Sequence, residues 1–278
     1  MKSETKSKKS VRLLSLLTLI AVLVSGFGIS TVYAAMKTPD ASKVKLNAAE
    51  YNGKLYYAAG DVIQVQGKMT NVAEGSVRAR IEVKKSNTKI AEIEDEIPYV
   101  HGPNVNMSEF TTLNAELSKI SLSAGTYTCT ISVGNKKPGE RVYKNFDSKG
   151  FEFQVISKTG SYKNSYDFVY NHVGDYFKMS KGWRLYNTYL LANRKKKANM
   201  IAKEAINSFV SKNSYTTEGF VTKLYNALLY RKPDADGMNY WKGAINAGMP
   251  IADVVTWWTT TYYNVEFAVL LQSKSLYH

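Results

Sequence analysis

The stretch RKPDADGMNYW, residues 231–241, decides the fold of the C-terminal half, because it ends one helix and begins the next. Pro233 cannot continue a helix that ends near Tyr230. Asp234 or Asp236 can accept hydrogen bonds from the free amides at the start of the following helix, where a negative charge is also favoured. The stretch therefore predicts a turn between two helices with an acidic cap.

The same Asp-x-Asp-Gly core resembles the start of a calcium loop, but the remaining ligands are missing. An EF-hand loop takes oxygen ligands at positions one, three and five, glycine at position six and glutamate at position twelve. If Gly237 is position six, Asp234 and Asp236 fit, but Lys232 occupies position one and Gly243 occupies position twelve. We therefore expect no metal site in this turn.

Two contacts of the turn follow from spacing. Arg231 is close enough in sequence to pair with Asp234, and Tyr240 and Trp241 are expected to enter the core one helical turn later. Because loss of a buried tryptophan costs about 3 to 5 kcal/mol, we interpret these as packing residues.

Outward from the turn, apolar residues recur every three or four positions, which is typical of helices with one apolar face. Five such segments follow Lys158, and residues 162–278 are therefore predicted to form an all-α helical domain. Their apolar residues are Tyr166, Val169, Tyr170, Val173, Tyr176 and Phe177; Trp183, Tyr186 and Leu190; Ile201, Ala202, Ala205, Ile206, Phe209 and Val210; Phe220, Val221, Leu224, Tyr225, Leu228 and Leu229; Ile251, Val254, Val255 and Trp258.

In the preceding part, apolar and polar residues alternate with a period of two, which indicates strands with one solvent-exposed face. Short alternating strands bounded by turn residues indicate an antiparallel β-sandwich, here at residues 43–157. The predicted fold class is thus multidomain, β then α, with a polar linker at 157–161. The inward residues are Ile63, Val65 and Met69; Val77, Ala79, Ile81 and Val83; Tyr127, Cys129, Ile131 and Val133; Phe151, Phe153 and Val155.

Two segments of this part resemble bacterial immunoglobulin-like or fibronectin-like domains. Residues 58–71 (AAGDVIQVQGKMTN) look like the opening strand of such modules, and residues 122–133 (LSAGTYTCTISV) look like a tyrosine-corner strand. The resemblance implies that the Tyr127 hydroxyl bonds back to nearby backbone. Cys129, the single cysteine, is expected to be a small core residue, because a thiol on an inward strand position is desolvated.

The stretch 220–267 resembles the DUF4214 family, a helical module of secreted and surface bacterial proteins. The family pattern is an apolar-Leu-Tyr helix, then Arg-x-Pro-Asp-x-x-Gly-x-x-Tyr-Trp, a glycine before a third helix and a closing Glu-Phe. The resemblance implies a helical module at about 217–270 with structural motif residues and an accessory role at the cell surface. The matching residues are Leu224, Tyr225, Arg231, Pro233, Asp234, Gly237, Tyr240, Trp241, Gly248, Glu266 and Phe267.

Two positions depart from the family pattern. Tyr230 stands where the family usually has glycine before the arginine, so the geometry of the turn can differ there. Met249 stands where a serine or threonine cap is usual, and Pro250 at the first helical position is expected to replace part of that cap.

The N-terminus has the layout of a secretory signal. A lysine-rich start leads into the apolar run from Leu13 to Val24 and then to small residues ending at Ala34 and Ala35. We predict a signal peptide at 1–34 and hence a secreted, extracellular protein, with association with the cell wall as an alternative. Left uncut, this segment could just span a membrane, and membrane contact is expected through it alone.

The charge is basic, with a formal net charge of +14. The excess is mostly C-terminal, since residues 157–278 hold sixteen Lys and Arg against eight Asp and Glu. Such a charge favours anionic partners, which outside a cell are wall polymers, acidic polysaccharides and membrane surfaces. Nucleic acid is not expected. The alternative is that these lysines only keep the protein soluble.

Candidate catalytic groups are few. The three histidines, His101, His172 and His278, lie in no metal-binding or catalytic motif, and the sequence has no Gly-x-Ser-x-Gly elbow or phosphate loop. A dyad of Cys129 with His101 and an acid–base pair within the acidic run 92–96 are open alternatives, although clustered carboxylates on a strand more often form a solvated edge. We predict that the chain is not an enzyme and has no cofactor.

Aromatic residues carry the functional hypothesis. Twenty Tyr and four Trp exceed what two modest cores need, so some are expected to be exposed, where they can stack on sugar rings or anchor a partner. We predict a non-catalytic surface protein that binds an anionic wall polymer, a glycan or a protein. The alternatives are a cell-wall or glycan hydrolase and, for any one tyrosine, a place in the core. The candidate ligand-facing residues are Trp257 or Trp258, Tyr262, Tyr263, Lys195, Lys196 and Lys197, with Lys203 nearby.

Overall fold

The computed structural model of this chain describes residues 44–67, 75–100, 110–113, 122–136, 141–260 and 264–277. These residues lie within one compact unit. Predictions outside them are the signal peptide at 1–34, the inward strand residue Met69, the histidines His101 and His278, and the candidate ligand-facing pair Tyr262 and Tyr263. Strands precede helices along the chain, as the sequence predicted.

The described part of the N-terminal half forms a six-stranded and a three-stranded sheet. The strands are β1 Lys45–Leu46, β2 Ala49–Tyr51, β3 Lys54–Ala58, β4 Val65–Gly67, β5 Gly75–Lys85, β6 Thr88–Val100, β7 Phe110–Leu113, β8 Gly125–Lys136 and β9 Lys144–Ile156. The larger sheet has the order β2-β3-β9-β8-β5-β6, and the smaller has the order β1-β4-β7.

The larger sheet is mixed, because an early strand pairs with the last one. β3 runs parallel to β9, with Leu55 opposite Phe153 and Ala58 opposite Ile156. The remaining pairs of this sheet are antiparallel. The prediction of an antiparallel fold is therefore wrong for β3 and β9, since alternation along one strand says nothing about the direction of its neighbour.

Alternate side chains of β8 and β9 fill the core of the larger sheet. Cys129, Ile131 and Phe153 are almost completely buried. The burial of Cys129 confirms its predicted place in the core, and this burial raises the pKa of the thiol to about 12. The Tyr127 hydroxyl donates to the Ser123 carbonyl at 2.7 Å, the backbone bond that the resemblance to a tyrosine corner implied.

The smaller sheet shares this core, because Leu46 and Val65 belong to the same buried cluster as Tyr57. The strand predicted at 58–71 is described as far as residue 67, and within it the segment that joins the smaller sheet is β4. Just before β4, the Gln64 amide donates to the side chain of Asn47 at 2.8 Å instead of to a neighbouring strand. The six-stranded sheet is open, so a closed sandwich stays a prediction.

The C-terminal half is helical and begins with the 3-10 turn Gly160–Tyr162. The helices that follow are α1 Lys163–Ser165, the π-helix Tyr166–Val173, α2 Gly174–Tyr176, α3 Lys181–Ala192, α4 Ala198–Lys212, α5 Thr217–Leu229, α6 Ala235–Asn246, α7 Ile251–Thr259 and α8 Val265–Ser273. No helix in the described residues combines the length and the apolar character needed to cross a membrane.

The segment predicted as one helix from Tyr166 onward begins as a π-helix. The Gly174 amide bonds to the Val169 carbonyl, five residues earlier. A Cβ at Gly174 would lie 2.6 Å from the Arg184 side chain and 2.7 Å from that carbonyl, so glycine permits the close approach. Apolar spacing of three and four does not distinguish this wider turn from an α-helix.

The helices pack around one apolar core that includes Leu224, Trp258 and Phe267. Helix α3 also packs against β2 and β3, where Tyr186 contacts the rings of Tyr51 and Tyr56 at 5.3 and 5.8 Å. A separate buried cluster joins residues of both halves at this junction. The segment predicted as a linker therefore connects two parts that pack directly on each other.

Candidate functional site

The turn between α5 and α6 has the predicted acidic cap. Asp234 precedes α6, and its side chain accepts a hydrogen bond from the Gly237 amide at 2.7 Å. Arg231 donates to the other carboxylate oxygen of Asp234 at 3.0 Å, which confirms the predicted pair. These donors, the Gly237 amide first, hold the pKa of Asp234 below its usual range. The stretch 231–241 therefore fastens two helices.

Arg231 also connects the turn to α8. Its guanidinium donates to both carboxylate oxygens of Glu266 at 3.1 and 3.0 Å and lies 4.8 Å from the centre of the Tyr225 ring. The carboxylate oxygens of Asp234 and Glu266 thus face an arginine. Among the residues that the structure describes, no group of three or more His, Cys, Asp and Glu side chains is placed to hold a metal ion.

Gly237 is a packing residue, because a Cβ there would overlap the hydroxyl of Tyr225. Leu224 and Phe267 are fully buried in the helical core, and Pro233 is half-buried between the two helices. These contacts support the structural role that the family resemblance implied for the motif.

Tyr230 adopts the left-handed conformation that normally favours glycine, with a φ of 58°. A side chain there costs roughly 1 to 2 kcal/mol, and new contacts offset this cost. The ring stacks on His172 with centroids 3.6 Å apart, and Lys274 Nζ lies 4.3 Å from the ring centre. Burial lowers the pKa of His172, whose Nε2 is bonded to the Asn226 carbonyl at 2.8 Å.

The second departure from the family pattern also has a structural outcome. Pro250 is the cap residue before α7 rather than the first helical residue, and it makes no side-chain cap bond. Its carbonyl accepts from the Asp253 amide at 2.9 Å. The prediction of Pro250 at the first helical position is therefore off by one residue.

The aromatic residues of α6 and α7 form a cluster with one exposed side. Trp241 and Trp258 are buried, whereas 37% of Trp257 and 61% of Tyr240 are exposed. The prediction that Tyr240 enters the core is wrong, because successive residues of a helix point about 100° apart and only Trp241 faces inward. Tyr240 and Trp257 each contact Trp241, with ring centroids 5.2 and 4.9 Å apart. We call Tyr240, Trp241 and Trp257 the aromatic face.

A lysine of α4 contacts α7, the helix that carries Trp257. Lys203 Nζ is 3.3 Å from the Thr256 hydroxyl, and Thr256 precedes Trp257 on α7. Lys203 itself is exposed. A positive charge is therefore bonded to the residue of α7 that precedes Trp257 in the sequence.

The three candidate lysines lie elsewhere, at the start of α4, and have different surroundings. Lys195 Nζ donates to the Tyr189 hydroxyl at 2.9 Å. Lys196 is half-buried and forms an ion pair with Glu204. Lys197 is exposed and immediately precedes α4. Lys196 is therefore engaged in an ion pair, whereas Lys195 and Lys197 are exposed.

Sequence reasoning missed the polar centre at Glu204. Its carboxylate accepts from Trp183 Nε1 at 2.7 Å and from the Tyr51 hydroxyl at 3.3 Å, besides the ion pair with Lys196. Burial acts to raise the pKa of Glu204, but the donors outweigh burial and lower it. The partners come from β2, α3 and the loop before α4, so no motif within one segment of the sequence predicts this cluster. Glu204, Trp183 and Tyr51 are among the residues that line a pocket of about 450 Å³.

The structure describes only part of each remaining catalytic alternative, because His101 and the side chains of Asp95 and Glu96 lie outside the described residues. Glu92 and Glu94 lie on the edge strand β6 and are exposed. Arg80 on β5 pairs with Glu92 at 2.5 Å. This arrangement is the solvated edge that the sequence favoured, and the candidate dyad has its thiol buried at Cys129.

Comparison with protein families gives one match. Residues 198–256 match the family described as "Domain of unknown function (DUF4214)". The match covers α4, α5, α6 and most of α7. It begins earlier than the stretch 220–267 and ends before Glu266 and Phe267. No curated protein matches the chain.

Proposed function

We propose that this chain is a secreted, non-catalytic accessory protein that binds an extracellular glycan or wall polymer through the aromatic face. The observation that carries the proposal is the exposure of Tyr240 and Trp257, which both contact the buried Trp241. Aromatic rings of this kind have an apolar face and a polar edge, which suits sugars and interface anchors.

The core beneath the aromatic face restricts the exposed rings before a ligand binds. Trp241 packs on Trp258 at 5.6 Å, and Trp258 packs on Tyr225 at 4.8 Å. Both exposed rings therefore rest on buried neighbours, which limits their freedom before binding and lowers the entropic cost of association. Lys203 adds attraction for anionic polymers, and this part of the interaction weakens as salt is added.

Retention on an insoluble polymer tests the proposal. The protein without residues 1–34 is incubated with purified cell wall in low and high salt, and the bound fraction is measured. We expect retention at low salt and about tenfold weaker binding by the double variant Tyr240→Ala/Trp257→Ala. The matched control is Tyr277→Ala, because 57% of Tyr277 is exposed and it lies outside the aromatic face.

Three outcomes would contradict the proposal. Absence of retention at low salt rules out polymer binding, and unchanged binding by the double variant rules out the aromatic face. Release of soluble wall fragments would instead favour the hydrolase alternative. Each variant is first shown to have the urea midpoint of the unaltered protein within about 0.5 M, so that unfolding cannot explain the result.

Secretion and the nature of the N-terminal half are part of the proposal. The support for secretion is the signal-like layout of residues 1–34, and N-terminal sequencing of protein from the culture medium tests it. We expect Ala35 or Met36 as the first residue. The support for an immunoglobulin-like sandwich is the Tyr127 corner and the core shared by the two sheets.

A further inference from the structure

A pocket separate from the aromatic face lies where β2 meets α3 and α4. It has a volume of about 450 Å³, which is in the range of small-molecule sites. Among its apolar and aromatic lining residues, Tyr51 and Met179 are partly exposed, whereas Phe177 and Trp183 are buried; Ser180, Ser208 and Asn213 add polar side chains. The pocket therefore combines a surface for a ring with groups that bond to hydroxyls.

The carboxylate in the lining already has its partners. Glu204 accepts hydrogen bonds from Tyr51 and Trp183 and is neutralised by Lys196. Because three donors converge on its two oxygens, Glu204 orients the pocket wall and adds little net negative charge. A cationic ligand would have to displace Lys196 from this arrangement.

Two lysines in the lining, in contrast, have no partner among the described residues. Lys178 and Lys212 are both exposed and line the pocket. The backbone of Lys178 is held in the left-handed conformation, with a φ of 55°, by the bonds that close α2, in which its amide donates to the Asp175 carbonyl. Lys212 ends α4, where the helix favours a cation. The lining thus carries two unpaired positive charges.

We propose that this pocket binds an acidic sugar, with its carboxylate or phosphate at Lys178 and Lys212 and its ring against Tyr51 and Met179. Two ammonium groups without acceptors select an anion. Tyr51 and Met179, together with the polar side chains, select a hydroxylated ring over a bare inorganic anion. This site is distinct from the aromatic face and does not depend on the function proposed for it.

Nuclear magnetic resonance titration of the chain lacking residues 1–34 tests the site. The reporter is the indole N–H signal of Trp183, assigned with Trp183→Phe, because this group donates to Glu204 at the pocket wall. The probes are glucuronate, glucose 6-phosphate, glucose and inorganic phosphate. We expect one or both acidic sugars to shift the signal with affinity at least about tenfold above that for glucose.

The probes separate the two anionic groups. Glucuronate binding alone assigns a carboxylate, and glucose 6-phosphate binding alone assigns a phosphate. If inorganic phosphate binds as tightly as the acidic sugars, the role of the ring is overturned. If glucose binds as tightly, the role of the lysines is overturned, and if no probe shifts the signal, the site itself is overturned.

Variants link the binding to the two lysines. Lys178→Ala/Lys212→Ala is expected to weaken the acidic sugar by about tenfold or more, because two charge-assisted bonds are lost. Lys158→Ala/Lys232→Ala is the matched control, since it removes the same charge at exposed positions outside the pocket. Equal weakening by both pairs would show a general charge effect and overturn the site. Tyr240→Ala/Trp257→Ala is expected to keep the sugar-induced shift, which separates this site from the aromatic face.

Discussion

Asp234 and Glu204 are two carboxylates that hold helices in place by different means. Asp234 is exposed, and its donors, the Gly237 amide and Arg231, lie three residues away on either side. Glu204 is half-buried, and its donor Tyr51 lies 153 residues away in the sequence. The first carboxylate completes a local turn, whereas the second joins the sheet to the helices. A partner that is distant in sequence stabilises the tertiary fold, and a near one stabilises a helix end.

The largest expected effect comes from removing the distant partner. Glu204→Ala leaves the Trp183 indole and the Tyr51 hydroxyl without their acceptor and removes the ion pair of Lys196, so we expect a loss of about 2 to 3 kcal/mol in the free energy of unfolding. Urea denaturation measures it. The control is Glu218→Ala, which breaks the exposed pair with Lys242 and should change little. Equal losses would mean that the long-range centre adds no special stability.

The next effect tests the packing beneath the local turn. Gly237→Ala places a Cβ against the Tyr225 hydroxyl, and such overpacking is expected to cost about 1 to 2 kcal/mol. The cost should be smaller in a Tyr225→Phe background, where that hydroxyl is absent. A double-mutant cycle by urea denaturation measures the coupling. Additive effects would show that the two groups do not meet.

A smaller effect is expected from the local carboxylate itself. Asp234→Ala removes the cap of α6 and the acceptor for Arg231, so we expect the midpoint of thermal unfolding to fall by about 2 to 4 °C. Asp234→Asn should recover part of this loss, because the amide oxygen can still accept from the Gly237 amide. A loss as large as that of Glu204→Ala would contradict the contrast between the two carboxylates.

The smallest effect concerns pH. The folded protein lowers the pKa of Glu204, so its charge stabilises the fold above the unfolded-state pKa of about 4.3. This contribution is lost as the pH falls below that value and through the folded-state pKa. We therefore expect the stability advantage of the unaltered protein over Glu204→Gln to shrink between about pH 5 and pH 3. Urea denaturation across this range measures it, and a constant advantage would show that the charge is unimportant.

The same contrast explains which features the sequence could predict. The Asp234 cap and the Arg231 pair depend on residues three apart, so spacing was sufficient. Aromatic character predicts both Tyr240 and Trp241 in the core, because it does not tell which of two adjacent residues faces inward. The pocket at Glu204 could not be predicted, because its wall comes from separate parts of the chain and no helical or strand period marks it.

Strand pairing in the larger sheet has the same limit, because sequence periodicity does not predict contacts between distant segments. Alternation predicted the strands around Val83, Cys129 and Phe153, because burial on one face follows from each strand alone. The parallel pairing of β3 with β9 depends on the course of the chain over about a hundred residues between the two strands. Alternation of apolar and polar residues within a strand does not predict that course.

This return has a consequence for the order of folding. Tyr56 of β3 pairs with Gln154 of β9. This edge of β3 therefore has no neighbouring strand until β9 has been synthesised. Contacts between such distant residues form slowly, since a long loop must close before they are gained. Before β9 has been synthesised, β2 and β3 can pair only with each other, as a hairpin. Helix α3 can pack on the complete sheet only after β3 and β9 have paired.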